Sequence, residues 1–438
     1  MCRSNVLAIT RALYRLPALP QHLWTRLFHS PPAIVGSRMR ESPPDLLPVH
    51  LHHLFTFLTT LGGVQSVLKR HLQRDPAFCA SSTLTTFFDR SPLHQPSAQT
   101  LGLRGFHTIA QARTRIARQI PRQPNRLVIA HNLWGLHFWA DLIPCQRRIG
   151  ILHSDWPGLP QFLSCHRQLL DGLLCVSKPL LHLANQSLPE LPAPRIALIH
   201  YPVSNPIPST AAPRPRPPGR TFTIGIAGRI QIEQKRLDRL PALLAQLQAR
   251  NLDCQVECLG EGPDLPQIRK ACAGFTNVRF LGRLDGDAYW QALASWDAIL
   301  FLSDYEGLPI ALLEAMSVGV IPVFPSIGCG ADDYLKALDS QLLYQPGDLD
   351  DASAKIAWLD RCPPSSMAEL RKQSQAIVQP HHEDRYFKTF SEFVQTVRAL
   401  PRISVQDFPA RRIHWTDHSP FGILSRFAPQ ASWRSPLS

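Results

Sequence analysis

Two glutamates eight positions apart, Glu306 and Glu314, flank a Gly307-Leu308-Pro309 turn in the run from Asp304 to Met316. An apolar segment precedes the turn and a helix-forming one follows it, so Glu306 is expected on a loop and Glu314 inside a helix. Such a helix would present its N-terminal N–H groups at a strand end, where a diphosphate is attracted. A carboxylate one or two turns in can accept both hydroxyls of a ribose. Taken alone, the pair also fits a helix cap and a solvated surface residue.

A second set is Gly225-Ile226-Ala227-Gly228-Arg229, followed by Gln234-Lys235-Arg236-Leu237-Asp238. Glycines at a strand end let backbone approach a ligand. Arg229 and Lys235 supply the two positive charges that a departing diphosphate requires. The segment is no dinucleotide fingerprint, because Gly225 and Gly228 give G-x-x-G, and no Walker A motif precedes Lys235. A solvated basic loop is the alternative reading. His153 and His131 each follow an apolar run directly, a position at the carboxyl end of a strand. Asp285-Gly286-Asp287 has the spacing of a metal-binding D-x-D, but it opens a helical stretch and reads as a cap. Asp348, Asp350 and Asp351 read as a turn and helix start, and no metal requirement is expected.

These residues need strands and helices to position them. Runs at 127–130, 149–152, 173–176 and 196–199 are short and continuously apolar, as for strands covered on both faces. Residues 51–68 read as strand, loop and helix. After residues 204–220, which hold six prolines between Pro206 and Pro218, the alternation restarts. Strands are expected at 222–227, 255–259, 278–281, 298–302 and 320–324, and helices at 237–250 and 311–318. The proline run favours a semi-rigid spacer.

The organisation read from this is a basic N-terminal arm at 1–45, expected to be disordered, and a first domain at 46–203. A linker at 204–220, a second domain at 221–390 and an extension at 391–438 complete it. The fold class is α/β, with two Rossmann-like doubly wound parallel-sheet domains facing a cleft. Ligands of such sheets bind beyond the carboxyl ends of the strands.

Charge divides along the same boundary. Residues 1–220 carry 24 Lys and Arg against 8 Asp and Glu, and the remainder carries 22 against 25. A basic half suits nucleic acid, an anionic membrane surface or an acidic acceptor, and charge alone does not choose. The ten cysteines include no CxxC pair, so neither a disulfide framework nor a zinc site is expected, and a reducing cytoplasm is the simplest setting. No run reaches the 18 apolar residues that a membrane span needs. The arm carries six arginines and no acid in its first forty residues, without the compact apolar core of a secretory signal.

Taken together, residues 46–390 resemble the retaining family 4 glycosyltransferases, which have the two-domain GT-B architecture. The resemblance rests on Leu61-Gly62-Gly63-Val64-Gln65, Gly228-Arg229 with Lys235, the runs 259–263 and 278–282, and above all the E-x7-E pair Glu306 and Glu314. It implies a donor site of Gly63, Gly228, Arg229, Lys235, Glu306, Gly307, Leu308 and Glu314. Within it Glu306 would contact the sugar and Glu314 the ribose, with the backbone of Gly307 and Leu308 near sugar and phosphates. It also implies that Arg229 and Lys235 hold the diphosphate, and that His153, or else His131, lies by the donor sugar. Two departures are Pro309, which lacks an N–H, and Gln65-Ser66 after the paired glycines.

The function expected is sugar transfer from a nucleotide-sugar to an acceptor hydroxyl with retention, in cell-surface polysaccharide or glycolipid synthesis. No cofactor beyond the donor is expected. The acceptor would be a glycan or a lipid-linked one, the setting cytoplasmic with peripheral contact at an anionic inner membrane face, and no nucleic acid is expected. The rival readings are a nucleotide-sugar epimerase, a phosphorylase, or a nucleic-acid- or membrane-binding protein on a degenerate scaffold of this kind.

Overall fold

The computed structural model describes residues 48–59, 62–123, 125–156, 159–164, 166, 168–203, 219–404 and 420. The arm at 1–45, most of the linker at 204–220 and most of 405–438 lie outside these residues.

The first sheet has seven parallel strands. They are β1 His50–Phe55, β2 Ser81–Thr86, β3 Ala98–Thr100, β4 Arg126–His131, β5 Arg147–Leu152, β6 Gly172–Cys175 and β7 Ile196–Leu198. They lie in the order β3-β2-β1-β4-β5-β6-β7, so the chain reverses direction of travel between β1 and β4. The second sheet holds β8 Phe222–Ala227, β9 Cys254–Leu259, β10 Val278–Gly282, β11 Ala298–Leu300, β12 Ile321–Pro325 and β13 Leu343–Tyr344. Its order is β10-β9-β8-β11-β12-β13, with the reversal between β8 and β11. All pairings are parallel, so the ladders require crossover connections and cover on both faces. Every residue of β4, β6 and β12 is accordingly buried.

The helices used below are α1 Gly63–Arg74, α2 Lys178–Ser187, α3 Gly286–Ala294, α4 Ile310–Ser317, α5 Gly330–Leu338 and α6 Glu383–Ala399. Helix α1 buries Val67, Leu68, His71 and Leu72, the i, i+3, i+4 stripe of a surface helix. Helix α6 buries Tyr386, Phe387, Phe390, Phe393, Val394 and Val397 on one stripe. The expected helix at 237–250 begins instead as a 3-10 turn, Leu237–Arg239, and becomes α-helical at Leu240–Ala249. Pro241 stands in its first turn, where no N–H is needed.

The ends of the second domain differ from the expectation. Helix α6 begins at Glu383, before the expected boundary at 390, and it packs on the first sheet. The rings of Phe390 and His71 lie 4.6 Å apart. The Arg147 guanidinium donates to the carbonyls of Val397, Arg398 and Leu400. Beyond the helix, the backbone N–H groups of Ile403 and Ser404 donate to Asp171 at 3.0 Å. The physical reason is the aromatic stripe of α6, which finds its apolar partners in the first domain. The chain crosses between domains twice, and the crossings touch: Val203 N–H donates to His381 C=O at 2.9 Å. Among the described residues no helix is long and apolar enough to cross a membrane.

Candidate functional site in the interdomain cleft

The reversal in the second sheet sends the loops after β8 and β11 to opposite sides and opens a crevice between them. After β8, Gly228 takes φ +141°, a conformation that L side chains rarely adopt. The chain then passes Arg229 into the helical turn Ile232–Lys235. Gly225 serves a different purpose from close approach to a ligand. A Cβ there would fall 1.8 Å from the Trp296 ring, so the glycine lets Trp296 lie flat on β8. After β11 the loop carries Ser303, Asp304, Tyr305 and Glu306 to the start of α4.

These two loops clasp each other. The Lys235 ammonium donates to Glu306 Oε1 at 2.5 Å, and Ser303 Oγ–H donates to the same oxygen at 2.7 Å. Gln234 Nε2 donates to Tyr305 C=O at 3.1 Å and to Glu306 Oε2 at 3.2 Å. Arg236 and Arg239 hold Asp304 at 2.6 and 2.7 Å. Glu306 is thus a buried carboxylate satisfied by one cation and two neutral donors, not a helix cap. A shallow depression lies against this clasp, lined by Gly228, Arg229, Lys235, Cys258, Phe301 and Ser303 among others. Burial lowers the Arg229 pKa, against the opposing effect of Tyr305.

Glu314 sits on α4 and accepts from the Tyr289 hydroxyl of α3 at 2.5 Å. It is half-buried, not a solvated surface residue. Desolvation pushes its pKa up, opposed by the Tyr289 hydrogen bond and the charge of Arg70 on the first domain. The carbonyl of Gly307 accepts from Gly330 N–H, at the start of α5, at 2.8 Å, and Leu308 is buried beside it. Asp285 stands at the N-cap of α3 but is held by Arg283 at 2.9 Å and makes no cap bond; both it and Asp287 are exposed.

The first domain closes on this surface at three glycines. A Cβ on Gly307 would meet the His153 carbonyl oxygen at 2.2 Å. One on Gly330 would meet Ser177 at 2.6 Å, and one on Gly63 would meet Ile310 at 2.7 Å. Of the two candidate histidines, then, His153 abuts the donor-side loop, and it does so with its backbone. Its imidazole finds its hydrogen-bond partners within the first domain. The ring nitrogens of His153 lie 2.8 Å from His131 Nδ1 and 2.5 Å from the Tyr201 oxygen. His131 continues to His53 at 2.9 Å, and His53 to Asp75 at 2.9 Å. Burial pushes the His153 pKa down to about 3 and holds His131 well below its ordinary value. Tyr201, His53 and Asp75 were not singled out by motif reading, because none belongs to a recognisable pattern; only the repeated histidine at strand ends hinted at them.

The expected site residues fall on two facing surfaces. Gly228, Arg229, Lys235, Glu306, Gly307, Leu308 and Glu314 belong to the second domain, and Gly63 and His153 to the first. Residues 211–376 match the family model described as glycosyl transferases group 1. A segment of 135 residues is 33% identical to sulfoquinovosyl transferase SQD2 of Arabidopsis thaliana, covering 30% of this chain and 25% of that protein. Another of 163 residues is 27% identical to lipopolysaccharide 1,6-galactosyltransferase of Escherichia coli K12, covering 34% and 42%. The matched segments thus span less than half of either relative. The structure of the lipopolysaccharide outer core galactosyltransferase WaaB in its apo form superposes with a TM-score of 0.57 at 18% identity, over 80% of this chain and 99% of that one. The chain has the GT-B fold, and its second domain carries the group 1 glycosyltransferase signature.

Proposed function

We propose that this protein transfers a glycosyl group from a nucleotide-sugar, held by the second domain, to an acceptor hydroxyl presented by the first. The observation that carries the reading is the Lys235–Glu306 pair, 2.5 Å apart at the carboxyl end of the second sheet, inside the stretch that matches the glycosyltransferase model. In this reading Arg229 and Lys235 offset the charge that grows on the departing diphosphate. Lys235 is already oriented by Glu306 and moves little to do so. The Gly307–Leu308 backbone and the start of α4 take the phosphates, and Glu314 takes the ribose hydroxyls in place of the Tyr289 hydroxyl. Apposition of His153 and Gly307 excludes water from the reacting centre and so limits hydrolysis.

The finer features are proposals of the same reading. Transfer proceeds with retention and needs neither a resident metal nor a cofactor. The acceptor is a glycan or lipid-linked glycan in cell-surface polymer or glycolipid synthesis, a reading supported by its likeness to the lipopolysaccharide galactosyltransferases. The basic first half supports contact with an anionic membrane face.

The test is a thermal-shift series with UDP, GDP, ADP and their sugar conjugates, on wild type and Glu314→Ala. A ligand at one hundred times its Kd stabilises by about 2.7 kcal/mol. One nucleotide class should raise Tm in wild type and lose that effect in the variant. No shift with any nucleotide, beside a shift with DNA or RNA, would replace this reading with nucleic-acid binding.

A further inference from the structure

Strands β1 and β4, with the residue that follows β5, place three histidines on a single face of the first sheet. His53 on β1 is opposite Ile129 on β4, and His131 stands two residues beyond Ile129. His131 in turn is opposite Ile151 on β5, and His153 stands two residues beyond Ile151. Because side chains alternate along a strand, steps of two keep all three rings on one face and build a diagonal stair. The stair crosses the point where the sheet reverses between β1 and β4.

Its foot is Asp75, just after α1, and its head is Tyr201. All five side chains are at most 4% exposed. Asp75 Oδ2 is 2.9 Å from His53 Nε2, and Asp75 Oδ1 is 3.0 Å from His71 Nδ1. Ser82 Oγ–H donates to Oδ2 at 3.1 Å. Two ring nitrogens and a hydroxyl thus converge on its two oxygens, so the foot is a carboxylate, which only accepts.

That one fact orders every proton above it. His53 must donate from Nε2, which leaves its Nδ1 as acceptor for His131 Nε2–H. His131 Nδ1 then accepts from His153 Nε2–H, and His153 Nδ1 accepts from the Tyr201 hydroxyl. The opposite order would set the bare Nε2 of His53 against a carboxylate oxygen 2.9 Å away, two acceptors face to face. A neutral imidazole has one donor and one acceptor, so with all three rings neutral every ring nitrogen in the stair is satisfied in this order and in no other. The Tyr201 proton is spent on His153, so its oxygen offers nearby groups lone pairs only. Glu306, whose charge is felt at Tyr201, draws its donors from Lys235, Ser303 and Gln234 of its own domain, as observed.

We propose that Asp75 is a positioning residue for the cleft, acting through His53 and His131 to lock His153 as the neutral Nε2–H form and Tyr201 as its hydroxyl donor. The relay holds the His153 ring, and with it the carbonyl that abuts Gly307. The link to sugar transfer rests on the proposed function; the relay itself does not.

The relay is read without substrate, by long-range proton–nitrogen correlation on 15N-histidine-labelled full-length protein at pH 7.5, with signals assigned by single replacements. The expected result is that His53, His131 and His153 are all neutral, protonated at Nε2 and bare at Nδ1. Any one of them protonated at Nδ1 overturns the proposal. The atoms of His53, His71 and Asp75 lie within 4.8 Å of one another, a spacing that suits a metal ion. Stoichiometric metal with the proton order reversed up the stair would likewise overturn it. Asp75→Asn, which keeps an acceptor oxygen for His53, should retain the Nε2–H form at His153. Asp75→Leu should lose the single form there, two rings away; a packing role alone would leave His153 unchanged. If the leucine variant does not fold, the wild-type pattern and the asparagine variant still decide. An intact relay with no nucleotide binding would refute the proposed function and leave the relay standing.

Discussion

Lys235 and Glu306 lie on loops that follow different strands, and the pair is buried on the Glu306 side. Removing the cation alone leaves a carboxylate with two neutral donors. Breaking a fully buried pair costs about 3–5 kcal/mol; Lys235 keeps 20% of its side chain exposed, so Lys235→Met is expected to cost about 2 kcal/mol. Glu306→Gln in the same chain should recover most of that loss, while neither single nor double variant transfers sugar. Denaturant melts of the four proteins measure the coupling, and additive losses would show that the two side chains do not interact. The buried histidines set the acid response. Burial takes His52 and His153 down to about 3 and His166 and His381 to about 4, against 6.5 in the unfolded chain. The unfolded state therefore binds more protons below pH 6.5, and stability is fully present above that value and falls as pH drops toward 4. Each group loses up to about 1.4 kcal/mol per pH unit there. The raised carboxyl of Glu314 opposes this weakly. Tm measured at pH 7.5, 6 and 5 should fall with increasing steepness; a flat profile would mean that these histidines are solvated.

Among the elements, the loop into α4 meets the first domain closely at Gly307. A methyl group on Gly307 would fall 2.2 Å from the His153 carbonyl, which is backbone and cannot rotate away. Gly307→Ala is expected to hold the cleft ajar, with a larger radius of gyration in solution scattering and at least a tenfold loss of transfer. The melting temperature of each domain should change little, because the strain is relieved by separation. An unchanged radius and rate would place the closed cleft outside the working cycle. The same scale explains what could be read from the sequence. The second-domain strands and α4 were legible because apolar runs alternate there with Gly and Pro turns. Glu306 and Glu314 were legible because their spacing around Gly307-Leu308-Pro309 is a local pattern. Strand β2, Ser81–Thr86, was not, since Ser-Ser-Thr-Leu-Thr-Thr is polar in composition although Thr85 and Thr86 are buried. The Asp75–His53–His131–His153 stair was not legible either. Its members lie 22 or 78 positions apart in the chain, and only the strand register brings them into line. Helix α6 was not legible either, because no local signal in 383–399 says which domain its aromatic stripe covers.

Over the whole molecule, charge and connectivity divide differently. The basic excess lies before residue 220, yet the first domain is completed by residues 383–404 from the far end. Burying the six large apolar side chains of α6 is worth roughly 10 kcal/mol, at about 1.5–3 kcal/mol each, as much as the total stability of an ordinary domain. A chain ended at residue 378 is therefore expected to leave the first domain unfolded. Circular dichroism and protease resistance would show this, and a cooperative melt of that truncated first domain would contradict it.

The adjacency of Val203 and His381 has a further consequence. Because the host chain leaves at Val203 and returns at His382 side by side, residues 219–381 form a guest inserted into a host. A guest of this kind can be lifted out as a unit. Expressed alone, 219–381 should fold and keep Arg229, Lys235, Glu306 and Glu314 in place, while a short flexible joint between 203 and 382 should close the host without it. In evolutionary terms, such a seam allows the half that carries the group 1 glycosyltransferase signature to be exchanged while the other half stays whole.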